Sequence, residues 1–350
     1  MKTTAIICEF NPLHSGHKKL IDYAKTFSDR VVCIMSGNFT QRGLPACCDK
    51  YARAKHAVLA GADLVVELPT IFAAASAENF AYGGVAAASK LPADFLLFGS
   101  ECGDIKQLTD CANALLDKDV NRKIADEIKK GISYPKAVSN IVKTPLLNKP
   151  NNVLAIEYIK NIITAKSRIT PITLIREDNY NSLQTEQYAS SAALRADKKL
   201  RKKFTYDYVS QDINDEIEDK FGTIACGIIS LKTPDEMHDI EGVSEGIENK
   251  IFASNKSNGY NTMLEEIKSK RYTRLRLQRT ILNIILNISK ERVTAAKNTA
   301  VCICPLAVKS TSAAMLAFTN KCPDEITQRA DRLYYTMSTV APPSKLIKME

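Results

Sequence analysis

Tryptophan is absent from the chain and histidine is scarce, limited to His14, His17, His56 and His238. Ten cysteines stand at 8, 33, 47, 48, 102, 111, 226, 302, 304 and 322, yet no two have the Cys-x-x-Cys spacing. Cys47-Cys48 and Cys302-Ile303-Cys304 lack histidines at zinc spacing, which argues against a structural metal site. Several cysteines lie inside apolar stretches, where a free thiol acts as a small hydrophobe. Reduced thiols and a cytoplasmic location are the expectation. No apolar run approaches the roughly 20 residues of a membrane helix, so no membrane partner is expected. Nor is there a secretory pattern, because the short apolar run after Lys2 is cut by Glu9 and Pro12.

What is present is ordinary for a soluble globular protein: 350 residues, 45% hydrophobic and 25% charged. That length suits two domains, expected at 1–200 and 201–350. A formal net charge of +9 is a hint toward a polyanionic partner such as nucleic acid.

The chain is organised around Thr4 to Leu20. Ala5 to Cys8 reads as a buried parallel strand, Asn11-Pro12 breaks it, and an amphipathic helix follows. His14 and His17 flank Ser15 and Gly16 at the start of that helix. Unpaired N–H groups and the positive end of the dipole make a helix N-terminus a phosphate site. Gly16 lets a ligand approach the backbone. Two imidazoles there can donate hydrogen bonds to phosphoryl oxygens, which makes His14 and His17 the candidate catalytic residues. Four residues of this kind also fit an ordinary loop. Their place between strand and helix favours function.

Further strands are expected at 31–35, 63–68, 94–99 and 171–176, alternating with helices. This pattern predicts an α/β fold with a Rossmann-like, doubly wound parallel sheet, followed after about residue 200 by a mainly helical domain. The loop after the second strand carries Arg42, placed for phosphate or carboxylate or simply for solvent. Gly99 ends the fourth strand, where a flat ring such as adenine can lie against the backbone. Ala46 to Ala60 is read as a helix with a basic side formed by Lys50, Arg53 and Lys55. Asn152 reads locally as a helix N-cap. The fifth strand ends in the cation Arg176. Tyr188 to Arg195 starts a helix with serines, so Ser191 and Arg195 form a second possible anion cradle or a plain cap.

In the second half the informative stretch is Lys268 to Arg279, with Lys268, Lys270, Arg271, Arg274, Arg276 and Arg279 and no acid. A basic helical stripe headed by Tyr272 suits an RNA backbone, although a solvated basic face is the plainer reading of this stretch alone. The last fifty residues carry no chemistry that can be read.

Together the His-x-Gly-His opening, Phe98-Gly-Ser-Glu101 and Ser190-Ser-Ala-Ala-Leu-Arg195 resemble the nucleotidyltransferase superfamily. Cys8 to His17, Met35 to Gly43, Gly61 to Pro69, Pro150 to Leu154 and Ser269 to Arg274 resemble, in that order, the tRNA(Met) cytidine acetate ligase family. That resemblance implies activation of acetate by ATP as acetyl-adenylate. The acetyl group then passes to the wobble cytidine of elongator tRNA(Met), giving 4-acetylcytidine. It implies an ATP-binding loop, Ile7-Cys8-Glu9-Phe10-Asn11-Pro12-Leu13-His14-Ser15-Gly16-His17-Lys18-Lys19-Leu20, with further contacts at Gly99, Asn152 and Arg176. Mg²⁺ is expected with the triphosphate, without a dedicated protein site. Cys8 and Phe10 depart mildly from the family pattern, and the likeness fades after about Val293. The rival readings are a small-molecule adenylyltransferase and a non-catalytic RNA-binding protein.

Overall fold

The computed structural model describes residues 1–132, 134–176, 190–338, 340–341 and 346–350, so Tyr188 lies outside the described residues. Five apolar runs form the expected strands, β1 (Thr3–Cys8), β2 (Arg30–Ser36), β3 (Leu64–Leu68), β4 (Phe95–Ser100) and β5 (Thr170–Ile175). Two further strands, β6 (Cys304–Lys309) and β7 (Ile347–Met349), come from the end of the chain. All seven make one sheet in the order β5-β4-β1-β2-β3-β6-β7. The first five strands run parallel, β6 is antiparallel to β3, and β7 is parallel to β6. The near-continuous Val, Ile and Leu of the central strands reflect burial on both faces. One face carries Ala5, Val32, Ile34, Val66 and Leu96 under the helices Ala77–Lys90 and Pro150–Thr164. The other carries Ile6, Cys33, Met35, Val65 and Leu97 under Ser15–Lys25 and Lys50–Leu59. Alternate residues of one strand thus feed two cores, which is the doubly wound arrangement.

Strand order reverses between β1 and β4, the position where open α/β sheets form a ligand crevice. Here the two strands pair only at Thr4 with Phe95 and Ala5 with Leu96. Beyond that point β1 continues against β2 as far as Cys8, and β4 continues against β5 as far as Ser100. The parting of β1 from β4 opens a gap at their carboxyl ends.

Two local readings change. The second helix begins at Lys50 behind the Asp49 cap, and its supposed basic side is inside: Lys50 is 1% exposed and Arg53 0%. Only Lys55 faces solvent. The closing residues, read as chemically silent, pack the helix Glu325–Met337 against the sheet's carboxyl end, where Tyr334 donates to Ala46 O at 3.0 Å. Among the described residues no helix is long and apolar enough to cross a membrane.

Candidate active site

A crevice of about 290 Å³ occupies the gap between β1 and β4. Its walls come from the carboxyl ends of successive strands: Ile7 to Asn11 after β1, Gln41 and Arg42 after β2, Phe98 and Gly99 of β4, and Arg176 after β5. His17 and Leu20 of the opening helix and Ser190, Ser191 and Arg195 complete it. Phe10 takes a left-handed φ of 47°, which turns the chain out of β1 at the mouth of the site, and the Asn11–Pro12 peptide is cis.

The two histidines are together but not equivalent. His14 is the N-cap of the helix Ser15–Lys25, and its Nδ1 accepts the Gly16 N–H at 3.1 Å. In the neutral ring that leaves the proton on Nε2. Gly16 is needed for this fold-back as well as for openness, because a Cβ there would lie 3.0 Å from His14 Cε1. His17 stacks on His14 with ring centroids 3.8 Å apart and meets the edge of Phe10 at 5.0 Å. His17 Nδ1 is buried and has no hydrogen-bond partner among the described residues. Burial first, then the neighbouring His14 and Arg176, hold the His17 pKa well below its ordinary value. His17 is therefore neutral at physiological pH, a polar lining group whose hydrogen-bonding capacity is unspent.

Other residues of the expected ATP loop divide. Cys8, Glu9 and Asn11 line the crevice. Burial, followed by the neighbouring Cys33, holds the Cys8 thiol well above its ordinary pKa. Glu9 Oε1 accepts the Gln41 N–H at 2.6 Å and so ties the β1 and β2 loops. Pro12 and Leu13 are buried behind the loop. Ser15 opens the helix, Lys18 pairs with Asp22 at 2.6 Å, and Lys19 is exposed.

Gly99 and Arg176 meet: a Cβ on Gly99 would come within 2.9 Å of Arg176 Cγ. The bare backbone at the end of β4 thus makes room for a guanidinium. Asn152 is not the helix cap, since the helix begins at Pro150 after Lys149. Its side chain, 2% exposed, accepts the N–H groups of Glu101 (2.9 Å) and Cys102 (3.1 Å). Glu101 returns its carboxylate to the N–H groups of Asn151 (3.1 Å) and Asn152 (2.7 Å). Asn152 therefore acts behind the wall, and Asn151, which the sequence reading passed over, is the one that lines the crevice and lies 3.5 Å from Arg176 Nη1. Its only sequence signal was adjacency to Asn152.

Ser190, rather than Ser191, caps the short helix Ser191–Ala196. Arg195 Nη1 donates to Asn11 O at 2.7 Å and Arg195 Nε lies 3.6 Å from Glu218, so this cation holds the loop in place. Arg42 sits in a turn closed by Gly43, whose φ is +75°. A Cβ on Gly43 would reach the backbone of Gln278 and Arg279 at 2.6–2.7 Å. Arg53, read as surface charge, is a buried brace that donates to Glu9 O (2.6 Å), Ser36 O (3.1 Å), Gly37 O and Cys48 O (3.0 Å).

The basic stretch also resolves unevenly. Its helix runs Arg274–Leu286, with Lys268, Lys270 and Arg271 on the approach to it. Lys268 and Arg274 share Glu265 (3.1 and 2.9 Å), and Arg271 pairs with Glu245 at 3.0 Å. Tyr272 is buried, its hydroxyl is tied to Ser244 at 2.7 Å and its ring is covered by the Arg276 guanidinium at 4.0 Å. It is not a platform for a base. Arg279 is largely buried, which, with Arg276 beside it, lowers its pKa.

A family model described as HIGH Nucleotidyl Transferase matches residues 1–332. A tRNA(Met) cytidine acetate ligase of Thermoanaerobacter sp. (strain X514) is 36% identical over 83% of this chain and 79% of its own length. The protein of that name from Clostridium perfringens (strain SM101) is 36% identical over 85% of this chain and 82% of its own. A crystal structure of Thermotoga maritima TmcAL bound with alpha-thio ATP superposes with a TM-score of 0.82 at 27% identity, covering 96% of this chain and 87% of that one. This chain therefore belongs to the HIGH nucleotidyltransferases and, among them, to the tRNA(Met) cytidine acetate ligase family.

Proposed function

We propose that this chain is an ATP-dependent acetate–tRNA ligase that forms 4-acetylcytidine at the wobble position of elongator tRNA(Met). The observation that carries the reading is the crevice at the parting of β1 and β4, with His17 in its wall, its Nδ1 without a hydrogen-bond partner among the described residues, and with Arg42 and Arg176 beside it. Apolar Phe80, Phe98, Leu154 and Tyr158 line the same cavity and suit a purine ring. An acetate oxygen attacks the α-phosphorus of ATP in line, and pyrophosphate leaves with the electrons of the broken P–O bond. His14 and His17 stabilise the charge on the phosphoryl oxygens, together with the helix N-terminus. The cytidine amine then attacks the acetyl carbon. A C–N bond forms, the bond to AMP breaks, and the amine gives up one proton. Mg²⁺ enters with the triphosphate. Glu9 is the one carboxylate among the described residues lining the crevice, which suits a cation carried by phosphates rather than a protein cage.

Residues to about 200 supply the adenylation crevice, and the helical part beyond supplies the tRNA surface, with β6 and β7 returning to the sheet. The enzyme works in the cytoplasm, where its tRNA is. The test is incubation with labelled acetate, ATP and bulk tRNA, followed by nucleoside analysis. Label in acetylcytidine is the expected result. A stable dinucleotide-like product without tRNA would point to a small-molecule adenylyltransferase, and tRNA binding without ATP turnover would point to a non-catalytic protein.

A further inference from the structure

We propose that the acceptor cytosine enters a second cavity beside the adenylation crevice and is held there by the carboxamide of Gln278, an inference that rests on the ligase reading. This cavity, about 430 Å³, lies within the range of small-ligand clefts. It is bounded by the 42–47 turn, the helix Ser191–Ala196, the 213–219 segment and the head of the helix Arg274–Leu286. Arg42, Ala192 and Arg195 line both cavities, so the two share a wall. A base in one, with its amine toward that wall, faces an acyl group carried on the α-phosphate in the other. Two substrates held this way react as one bound pair.

Gln278 singles the cavity out. It is 5% exposed and lines the cavity, yet its carboxamide makes no hydrogen bond to any described residue. The amide is open to the cavity rather than sealed in the core, so an entering ligand can bond both its oxygen and its N–H groups. Its place is fixed, because Gly43 packs directly on the Gln278–Arg279 backbone and brings the Arg42 turn beside it.

The occupant is a neutral heterocycle rather than a phosphate. Two cations of the cavity are already matched, Arg195 by Glu218 at 3.6 Å and Arg274 by Glu265 at 2.9 Å. Asp219 in the lining disfavours an anion, while Asp215 is itself matched by Lys198 at 3.0 Å and by Arg201. Leu44, Ile213 and Leu275 offer apolar surface to a flat ring. A carboxamide can accept one N–H of the cytosine amine through its oxygen and donate to the adjacent ring nitrogen. The second amine proton stays available to leave, and the base must be splayed out of its stack to be read this way.

Gln278→Leu and Gln278→Glu test the assignment with two readouts: acetate-dependent ATP–pyrophosphate exchange, and acetylation of elongator tRNA(Met). Gln278→Leu should hold exchange within about twofold of wild type while kcat/KM for tRNA falls about tenfold or more. Gln278→Glu, which keeps an acceptor and loses the donor, should fall between. Acetylation at the wild-type level in both variants overturns the assignment, as does a parallel loss of exchange and acetylation. If the wild-type chain itself makes no acetylcytidine, the ligase reading fails first. Wild-type acetylcytidine with indifferent variants defeats this inference alone.

Discussion

Two polar clusters lie at the carboxyl end of one sheet, about β3 and about the parting of β1 from β4, and they differ in how their hydrogen-bonding groups are matched. Beside β3, Lys50 Nζ sits 2.7 and 2.9 Å from the Glu67 oxygens and 2.5 Å from Asp331 Oδ2. Asn38 closes the network, accepting the Lys50 N–H at 2.8 Å and donating to Asp331 at 2.9 Å. Among the described residues, His17 Nδ1 in the crevice has no hydrogen-bond partner, and neither has the Gln278 carboxamide next door. A saturated buried network secures one arrangement of chain segments. Groups left short of partners in a cavity wall are held for a ligand. Charge and burial alone would rank Lys50 and Glu67 as the functional pair, and the state of their hydrogen bonds reverses that ranking.

The contrast can be broken in several ways. Lys50→Ala strips the buried carboxylates of their counter-charge and should lower unfolding stability by about 3–5 kcal/mol in urea denaturation. A loss under about 1 kcal/mol would mean that the network does not hold the closing helix. His17→Ala should slow acetate-dependent ATP–pyrophosphate exchange about a hundredfold. A change of less than threefold would remove His17 from the mechanism.

The β3 cluster should also impose a pH dependence. Burial, more than Lys50 can offset, pushes the Glu67 carboxyl up to about 7 from an ordinary 4.5, and Asp331 is raised for the same first reason. Between those pH values the folded chain holds more protons than the unfolded one, so stability falls as pH rises. A fall on the order of 1–3 kcal/mol is expected from pH 5 to 7, and Glu67→Gln should flatten it. The smallest effect belongs to the outer basic stretch. Lys270 is exposed, and Lys270→Ala should reduce the salt dependence of tRNA binding by roughly one unit of slope, with little loss of affinity. An unchanged slope would take Lys270 off the tRNA surface.

Legibility followed locality. The five parallel strands could be read because each is a contiguous apolar run; β1 to β4 are largely buried, while β5, at the sheet edge, is only half-buried. Caps are local in the same way: Ser76 accepts the Asn79 N–H, three residues on, at the start of Ala77–Lys90. Asn152 misled because an asparagine before a helix and one inside its first turn look alike in sequence. The basic stripe misled at Tyr272, since nothing near it announces the contact with Ser244, 28 residues away. β6 was passed over because its apolar run includes Pro305 and follows a helical stretch, and β7 because three residues carry almost no pattern.

By itself the sequence determined the parallel sheet, the helix entered at His14 and the family to which those motifs belong, since each depends on residues adjacent along the chain. Only the tertiary structure decided which polar groups are spent. Lys50 and Asp331 are 281 residues apart, and Gln278 reaches the Arg42 turn through a glycine on another element. Whether a side chain finds a partner or waits for a ligand is a property of three-dimensional neighbours, and periodicity along one chain holds no record of them.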